Sequence, residues 1–114
     1  MKEISIDGVI YVPKDQNKEL AANFFIVRSD RAGVFAGEIE SRKGREVVLA
    51  NARRIWRWAG AATLSQLAME GTKDPANCKF PQPVHRVTLL EAIEILDVTK
   101  AARVSIESVP IWKN

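Results

Sequence analysis

The chain has 114 residues, a mass of 12.7 kDa and a formal charge of +3, with 46% hydrophobic and 27% charged residues. This length suits one domain and leaves no room for two independent cores, and the composition excludes a disordered chain. No apolar run approaches the roughly 18 residues that a membrane span needs, and the alternating N-terminus does not resemble a signal peptide. We therefore expect a single cytoplasmic domain without a membrane partner.

The N-terminal segment is predicted to form a strand from Ile4 to Val12 that turns at Asp7-Gly8, because this pair favours tight hairpin turns. A polar connector follows over 14–19 and can run into a turn of helix over 20–22. Residues 1–22 are therefore predicted to be an N-terminal strand and a variable connector. Residues 23–114 are predicted to form a single small barrel-like domain.

Three strands in a meander are predicted next, because short turns join three segments that have β-type patterns. Residues 24–28 form a continuous apolar run, and residues 34–41 alternate so that Phe35 and Ile39 share a face. Residues 46–51 resume the extended pattern, which continues to Trp58 as one bent strand or as two.

A change of periodicity then predicts a short helix, in which Thr63 and Gln66 form a capping box and Gly71 ends the last turn. Residues 72–83 are predicted to be a loop, because their prolines exclude a helix interior and a central strand.

The last predicted elements are a strand over 84–98, with an irregularity near Leu89-Leu90, and a helix over 100–108 that Thr99 caps and Pro110 terminates. This order predicts an α+β, mainly β protein: a small, strongly bent antiparallel sheet or a partly open SH3-like or Sm-like barrel, with two short helices. The predicted core residues are Phe35, Ile39, Val47, Leu49, Leu67, Val87, Leu89, Ile93 and Ile95.

Several segments between Val34 and Pro110 resemble a small family of unknown function that tailed bacteriophages and prophages encode. They include Gly-Val-Phe-Ala-Gly at 33–37, Cys-Lys-Phe at 78–80, Glu-Ala-Ile-Glu-Ile at 91–95 and Ser-Val-Pro-Ile-Trp at 108–112. The resemblance covers about residues 24–114 and is most specific over 51–71, whereas residues 1–22 resemble a variable extension. It implies a phage origin and a setting in the cytoplasm of the host cell.

Residues 53–58, Arg-Arg-Ile-Trp-Arg-Trp, are the first candidate for a binding site. In a strand, Arg54, Trp56 and Trp58 would share one face, opposite Arg53 and Arg57. Guanidinium groups beside indole rings suit a nucleotide, because aromatic rings stack on bases and arginine pairs with phosphate. The alternative is that both tryptophans anchor the core while the arginine stems cover apolar surface.

The small residues 60–65 lead into the predicted helix, where Thr63 and Ser65 could help the free amide groups to bind an anion. The alternative is that these residues only cap the helix. We place a ligand pocket where 53–58 meets 60–65. Its candidate ligand- or anion-binding residues are Arg53, Arg54, Arg57, Trp56, Trp58, Thr63 and Ser65.

Arg42, Lys43 and Arg45 form a second basic cluster at a predicted hairpin turn. In an alternative reading, they contact nucleic-acid phosphates together with the arginines of 53–58, and Trp58 stacks on a base.

One histidine, His85, and one cysteine, Cys78, cannot build a recognisable triad or metal cluster, and the chain lacks phosphate- and dinucleotide-binding motifs. We therefore expect no enzyme, no cofactor and no metal. The leading prediction is a non-catalytic phage accessory protein that binds a host component, such as a defence protein or its nucleotide signal. The alternatives are a small nucleic-acid-binding barrel and an interaction protein that forms homo-oligomers through exposed strand edges and residues 109–112.

Overall fold

A computed structural model describes residues 4–6, 9–11 and 19–114 of the protein. At the N-terminus, β1 (Ile4–Ile6) pairs with β2 (Val9–Tyr11) in an antiparallel ladder. This pairing confirms the predicted hairpin. The Asp7-Gly8 turn itself and most of the predicted connector lie outside the described residues.

The main structure is a five-stranded, entirely antiparallel sheet. Its strands are β3 (Leu20–Ser29), β4 (Gly33–Lys43), β5 (Glu46–Arg54), β6 (Val84–Leu89) and β7 (Ala92–Thr99). Their order across the sheet is β6-β5-β4-β3-β7, so β6 and β7 are the two edge strands. With two helices added, this confirms the predicted small α+β, mainly β fold.

Both predicted helices are present, and each begins at its predicted cap. The Thr63 hydroxyl accepts a hydrogen bond from the N–H three residues later at 3.1 Å, before α1 (Leu64–Glu70). Thr99 does the same at 3.0 Å before α2 (Lys100–Ser108). The proline-containing loop between α1 and β6 holds one 3-10 turn, Pro75–Asn77.

The sheet buries side chains on both of its faces. On one face, both helices and the proline loop cover a core. On the other face, the core consists of strand residues alone, and Val27, Val47 and Leu49 are fully buried there. A flat sheet would leave that second face in water, so the strands must curve around it.

The two edge strands meet at one end of the sheet, because only Leu90 and Glu91 separate β6 from β7. The Glu91 carbonyl accepts hydrogen bonds from the N–H of Asp30 at 2.8 Å and from the Ser29 hydroxyl at 3.1 Å. The N–H of Ala92 donates to the Arg45 carbonyl at 2.9 Å. The chain can pass from one edge to the other in so few residues only if the curvature brings the edges together.

Three predicted boundaries are wrong. The turn of helix over 20–22 does not form, because β3 already begins at Leu20. The extended pattern predicted to continue to Trp58, as one bent strand or as two, ends as a strand at Arg54. The strand predicted over 84–98 divides close to its predicted irregularity into two strands at opposite edges of the sheet. Periodicity alone does not reveal that a chain leaves its neighbouring strand.

The predicted core is confirmed in its centre and wrong at one position. Among its members, Phe35, Val47, Leu49, Leu67 and Leu89 are buried. Ile39, Val87 and Ile95 are half-buried. Ile93 is 53% exposed, because it is the extra residue of a β-bulge between the Arg28–Glu94 and Ser29–Ala92 pairs.

No helix in the described part of the chain is both long enough and apolar enough to cross a lipid bilayer.

Truncating Leu49 to alanine should lower the free energy of unfolding by roughly 2 to 5 kcal/mol, since its side chain is fully buried in the strand-only core. Ile93→Ala should lower it by less than about 0.5 kcal/mol, since a bulged, exposed side chain loses little contact. Urea unfolding of both variants measures the difference. An equal loss at the two positions would mean that the register of β7 is misassigned.

Candidate functional site

Arg53, the first predicted binding residue, is buried and points between the sheet and its covering elements. It is 6% exposed. Its guanidinium donates to the carbonyl groups of Phe80 and Pro81, both at 3.1 Å, and of Ile106 at 3.2 Å. Burial lowers the pKa of Arg53, and nearby Cys78 opposes this shift. Arg53 therefore joins β5 to the proline loop and to α2, and its hydrogen bonds serve the fold.

Arg54 lies on the opposite face of β5. Its guanidinium lies 4.3 Å from the centroid of the Phe35 ring and donates to the carbonyl of Ala32. It thereby covers the end of the strand-only core beside the turn between β3 and β4. The structure thus separates Arg53 and Arg54 from the other predicted site residues.

Trp56 and Trp112 form an exposed aromatic pair. Their ring centroids are 6.4 Å apart and their planes differ by 12°. Trp56 is 63% exposed and Trp112 is 42% exposed. The interpretation of Trp56 as a core anchor is therefore wrong, whereas half-buried Trp58 does pack against the helix-side core.

Short backbone bridges bring these two tryptophans together. Arg57 pairs with Lys79 in an antiparallel bridge, and Phe80 pairs with Ile111 in a parallel bridge. The Trp112 N–H donates to the Phe80 carbonyl at 3.0 Å. Residues 79–80 therefore lie between the segment that follows β5 and the segment that follows α2. Sequence reasoning placed Trp112 at an oligomer interface rather than in this site, because nothing local signals a pairing of residues so far apart.

A cleft of about 320 Å³ opens beside the aromatic pair. Its lining comprises Arg57, Trp58, Ala59, Ala76, Asn77, Cys78, Lys79 and Trp112. This lining contains two cations and no carboxylate. The Lys79 ammonium lies 5.3 Å from the centroid of the Trp112 ring, within the range of a cation–π contact. We call Trp56, Trp112, Arg57 and Lys79, with this cleft, the indole site.

The cations of the indole site differ from the surface cations that are paired with carboxylates. Five exposed or half-exposed cations, at positions 28, 45, 86, 100 and 103, contact carboxylates at 2.5 to 3.6 Å. The exposed Arg57 side chain has no hydrogen-bond or ion-pair partner among the described residues. Its charge is therefore available to an anion from solution.

Thr63 and Ser65 are exposed at the start of α1 and do not line this cleft. The turn before them packs tightly against residues 72–74, where a Cβ at Gly60 would lie 2.4 Å from the Asp74 nitrogen. Gly60 also has a φ of 78°, which favours glycine. Residues 72–74 of the proline loop therefore lie directly against this turn.

The second predicted cluster, Arg42, Lys43 and Arg45, is exposed at the tip of the β4–β5 hairpin. Arg45 contacts Glu91 at 3.6 Å, and Arg42 and Lys43 have no side-chain partner among the described residues. This tip lies at the opposite end of β5 from Trp56. Since β5 has nine residues, the separation along the strand is roughly 30 Å.

Cys78 is buried in the wall of the cleft, where its Sγ lies 3.4 Å from the N of Ala59, while His85 is exposed on β6. Within the described ranges, no group of three or more His, Cys, Asp or Glu residues is placed to hold a metal ion.

Replacing Arg53 with methionine should lower the free energy of unfolding by roughly 3 to 5 kcal/mol, because two buried hydrogen bonds and one part-buried hydrogen bond to carbonyl groups lose their charged donor. The matched variant Arg54→Met should cost about 1 kcal/mol, since it loses one carbonyl contact and one cation–π contact. Urea unfolding of both variants compares the two positions. A loss in R53M no larger than that in R54M would contradict the structural role of Arg53.

Residues 23–106 match a family described as Domain of unknown function (DUF6948). The match begins within β3 and ends within α2, so it contains the whole five-stranded sheet except the start of β3. No curated protein and no solved structure matches the chain. Because the match covers most of the chain, the protein belongs to the DUF6948 family of unknown function.

Proposed function

We propose that this protein acts by binding, without catalysis, and that the indole site takes a nucleotide unit. The observation that supports this most is the exposed, nearly parallel pair of Trp56 and Trp112 beside two cations. Large aromatic side chains are usually at least half-buried in a stable domain, so exposing two of them together needs a reason. A flat ring that stacks on an indole supplies that reason.

The charges at the site favour a flat ring that carries a negative group. Arg57 offers a planar fork of N–H donors, which fits two phosphate oxygens at once. Lys79 lies beside the Trp112 ring and adds a second positive charge. A nucleotide has both a flat aromatic ring and a negatively charged phosphate. A sugar lacks the aromatic ring, and a lipid lacks a flat ring beside its charged group.

The protein's proposed role follows from the resemblance of its sequence to phage-encoded proteins. A small phage accessory protein that binds a nucleotide could interfere with a nucleotide signal of the host or with a host defence protein that uses one. This role, like the setting in the host cytoplasm, rests on the resemblance, while the ligand chemistry rests on the site.

We further propose that the sheet is an SH3-like barrel. The strand order β6-β5-β4-β3-β7, with the two edges joined through Leu90 and Glu91, supports this architecture. Small barrels of this kind bind ligands at their exposed loops and strand edges. The indole site lies on such exposed segments.

Single-stranded nucleic acid is the second candidate ligand, and the cluster of Arg42, Lys43 and Arg45 favours it. A mononucleotide at the indole site cannot reach this cluster, which lies at the opposite end of β5. A strand of several nucleotides could contact both, with its bases stacked on the indoles and its phosphates on the hairpin.

Titration calorimetry with mononucleotides, cyclic dinucleotides and a ten-nucleotide single strand tests the proposed ligand. We expect binding that Trp56→Ala or Trp112→Ala weakens roughly 5- to 150-fold, the range measured for one stacked base. Arg57→Ala should weaken it by about tenfold through the loss of a phosphate contact. If only the ten-nucleotide strand binds and salt weakens it steeply, single-stranded nucleic acid is the ligand.

The matched control for Arg57→Ala is Arg31→Ala. Arg31 is an exposed arginine on the turn between β3 and β4 and does not line the cleft. This variant should not change the affinity. If no nucleotide or oligonucleotide binds more tightly than about 1 mM, the proposal is wrong. Light scattering on the unliganded protein would then show whether a second copy covers Trp56 and Trp112 instead.

A further inference from the structure

A second cleft, separate from the indole site, lies between the β4–β5 hairpin and the start of β7. Its volume is about 300 Å³. Its lining comprises Arg42, Gly44, Arg45 and Val47 from the hairpin and Ala92, Ile93, Glu94 and Ile95 from β7. We call it the hairpin cleft. We propose that it binds an extended acidic segment of a partner protein, which pairs with the free edge of β7.

The backbone of β7 supports this proposal. β7 pairs with β3 along one side and is the last strand of the sheet. On its other side, the N–H of Ala92 donates to Arg45, and no backbone bond to a loop is present for Ile93 to Val98 among the described residues. A free strand edge is a template for another strand, because each unpaired N–H and C=O group can join a new ladder.

The side chains of the hairpin cleft favour a peptide that carries apolar residues. The exposed Ile93 projects from the bulge, and half-buried Ile95 and buried Val47 lie beside it. Edge strands that face only water usually carry charges or prolines at such positions. An isoleucine on a free edge therefore indicates contact with another apolar side chain.

The charges select a peptide with carboxylates. Arg42 has no partner among the described residues, and the Arg45 side chain is 76% exposed with a contact to Glu91 of 3.6 Å, the longest of the ion pairs described. The one carboxylate in the lining, Glu94, is paired with Arg28 at 3.2 Å. The cleft therefore presents one unpaired guanidinium group, that of Arg42, and a second, that of Arg45, which only a 3.6 Å contact holds.

A second copy paired through β6 does not offer these guanidinium groups a free carboxylate. That strand carries His85 and Arg86 and no carboxylate, and Arg86 is itself paired with Glu40 at 2.7 Å. A different protein with an acidic, extended segment supplies the missing negative charge.

Fluorescence anisotropy with a labelled octapeptide of alternating valine and glutamate tests the proposal on the whole protein. We expect saturable binding, and weakening by roughly tenfold when glutamine replaces glutamate or when the variant Arg42→Ala/Arg45→Ala is used. Lys43→Ala is the matched control, because Lys43 lies on the same hairpin but does not line the cleft. It should leave the affinity within about twofold.

Hydrogen exchange locates the peptide. Bound peptide should slow the exchange of amides within residues 93–97 and leave those of β6 unchanged. The proposal is overturned if the peptide does not bind, if the glutamine version binds equally well, or if protection appears on β6.

Light scattering completes the test, because a dimer that forms without peptide and excludes it would assign the edge to a second copy. The Trp56→Ala variant should bind the peptide normally, so this result and the nucleotide result are independent.

Discussion

The buried guanidinium of Arg53 holds together the three parts of the molecule that form the proposed indole site. It extends from β5 and donates to carbonyl groups of the proline loop and of α2. The indole site consists of the segments that continue from these points, namely residues 55–58, 78–80 and 111–112. A buried cation is tolerable only when its donors are satisfied. The three carbonyl groups satisfy it, and the cost of separating them from the cation fixes the relative positions of the three segments.

Surface charge divides into two groups with different consequences. In one group, a carboxylate of the protein neutralises the arginine, as Glu40 does for Arg86 and Glu38 does for Arg103. Such exposed pairs add little stability. Arg42 and Arg57 are exposed without a carboxylate partner in the described residues, and each lines a cleft that also offers an apolar surface. The two proposed binding surfaces follow from this contrast.

The sequence was sufficient for the elements that local interactions determine. The capping residues Thr63 and Thr99 and the turn between β4 and β5 could be predicted, because each depends on residues a few positions apart. Contacts between residues that are far apart in the sequence could not be predicted in this way. The exposure of Ile93 depends on a bulge opposite Arg28, and the pairing of Trp56 with Trp112 depends on two isolated bridges. Arg53 and Arg57 are both arginines in one short segment, and only the tertiary structure distinguishes a buried clamp from a free cation.

The weak anchoring of Trp112 means that affinity at the proposed indole site and the stability of the sheet can change independently. Val109 is buried, but beyond it the chain is held by the Phe80–Ile111 bridge, by one hydrogen bond from Trp112 and by the ring contacts. A segment with so few contacts opens at a much lower free energy than the sheet. Affinity for the proposed ligand of the indole site would therefore include the equilibrium between the closed and open forms of this segment, whereas the melting temperature reports on the sheet. A mild denaturant concentration would weaken this proposed binding while the protein remains folded.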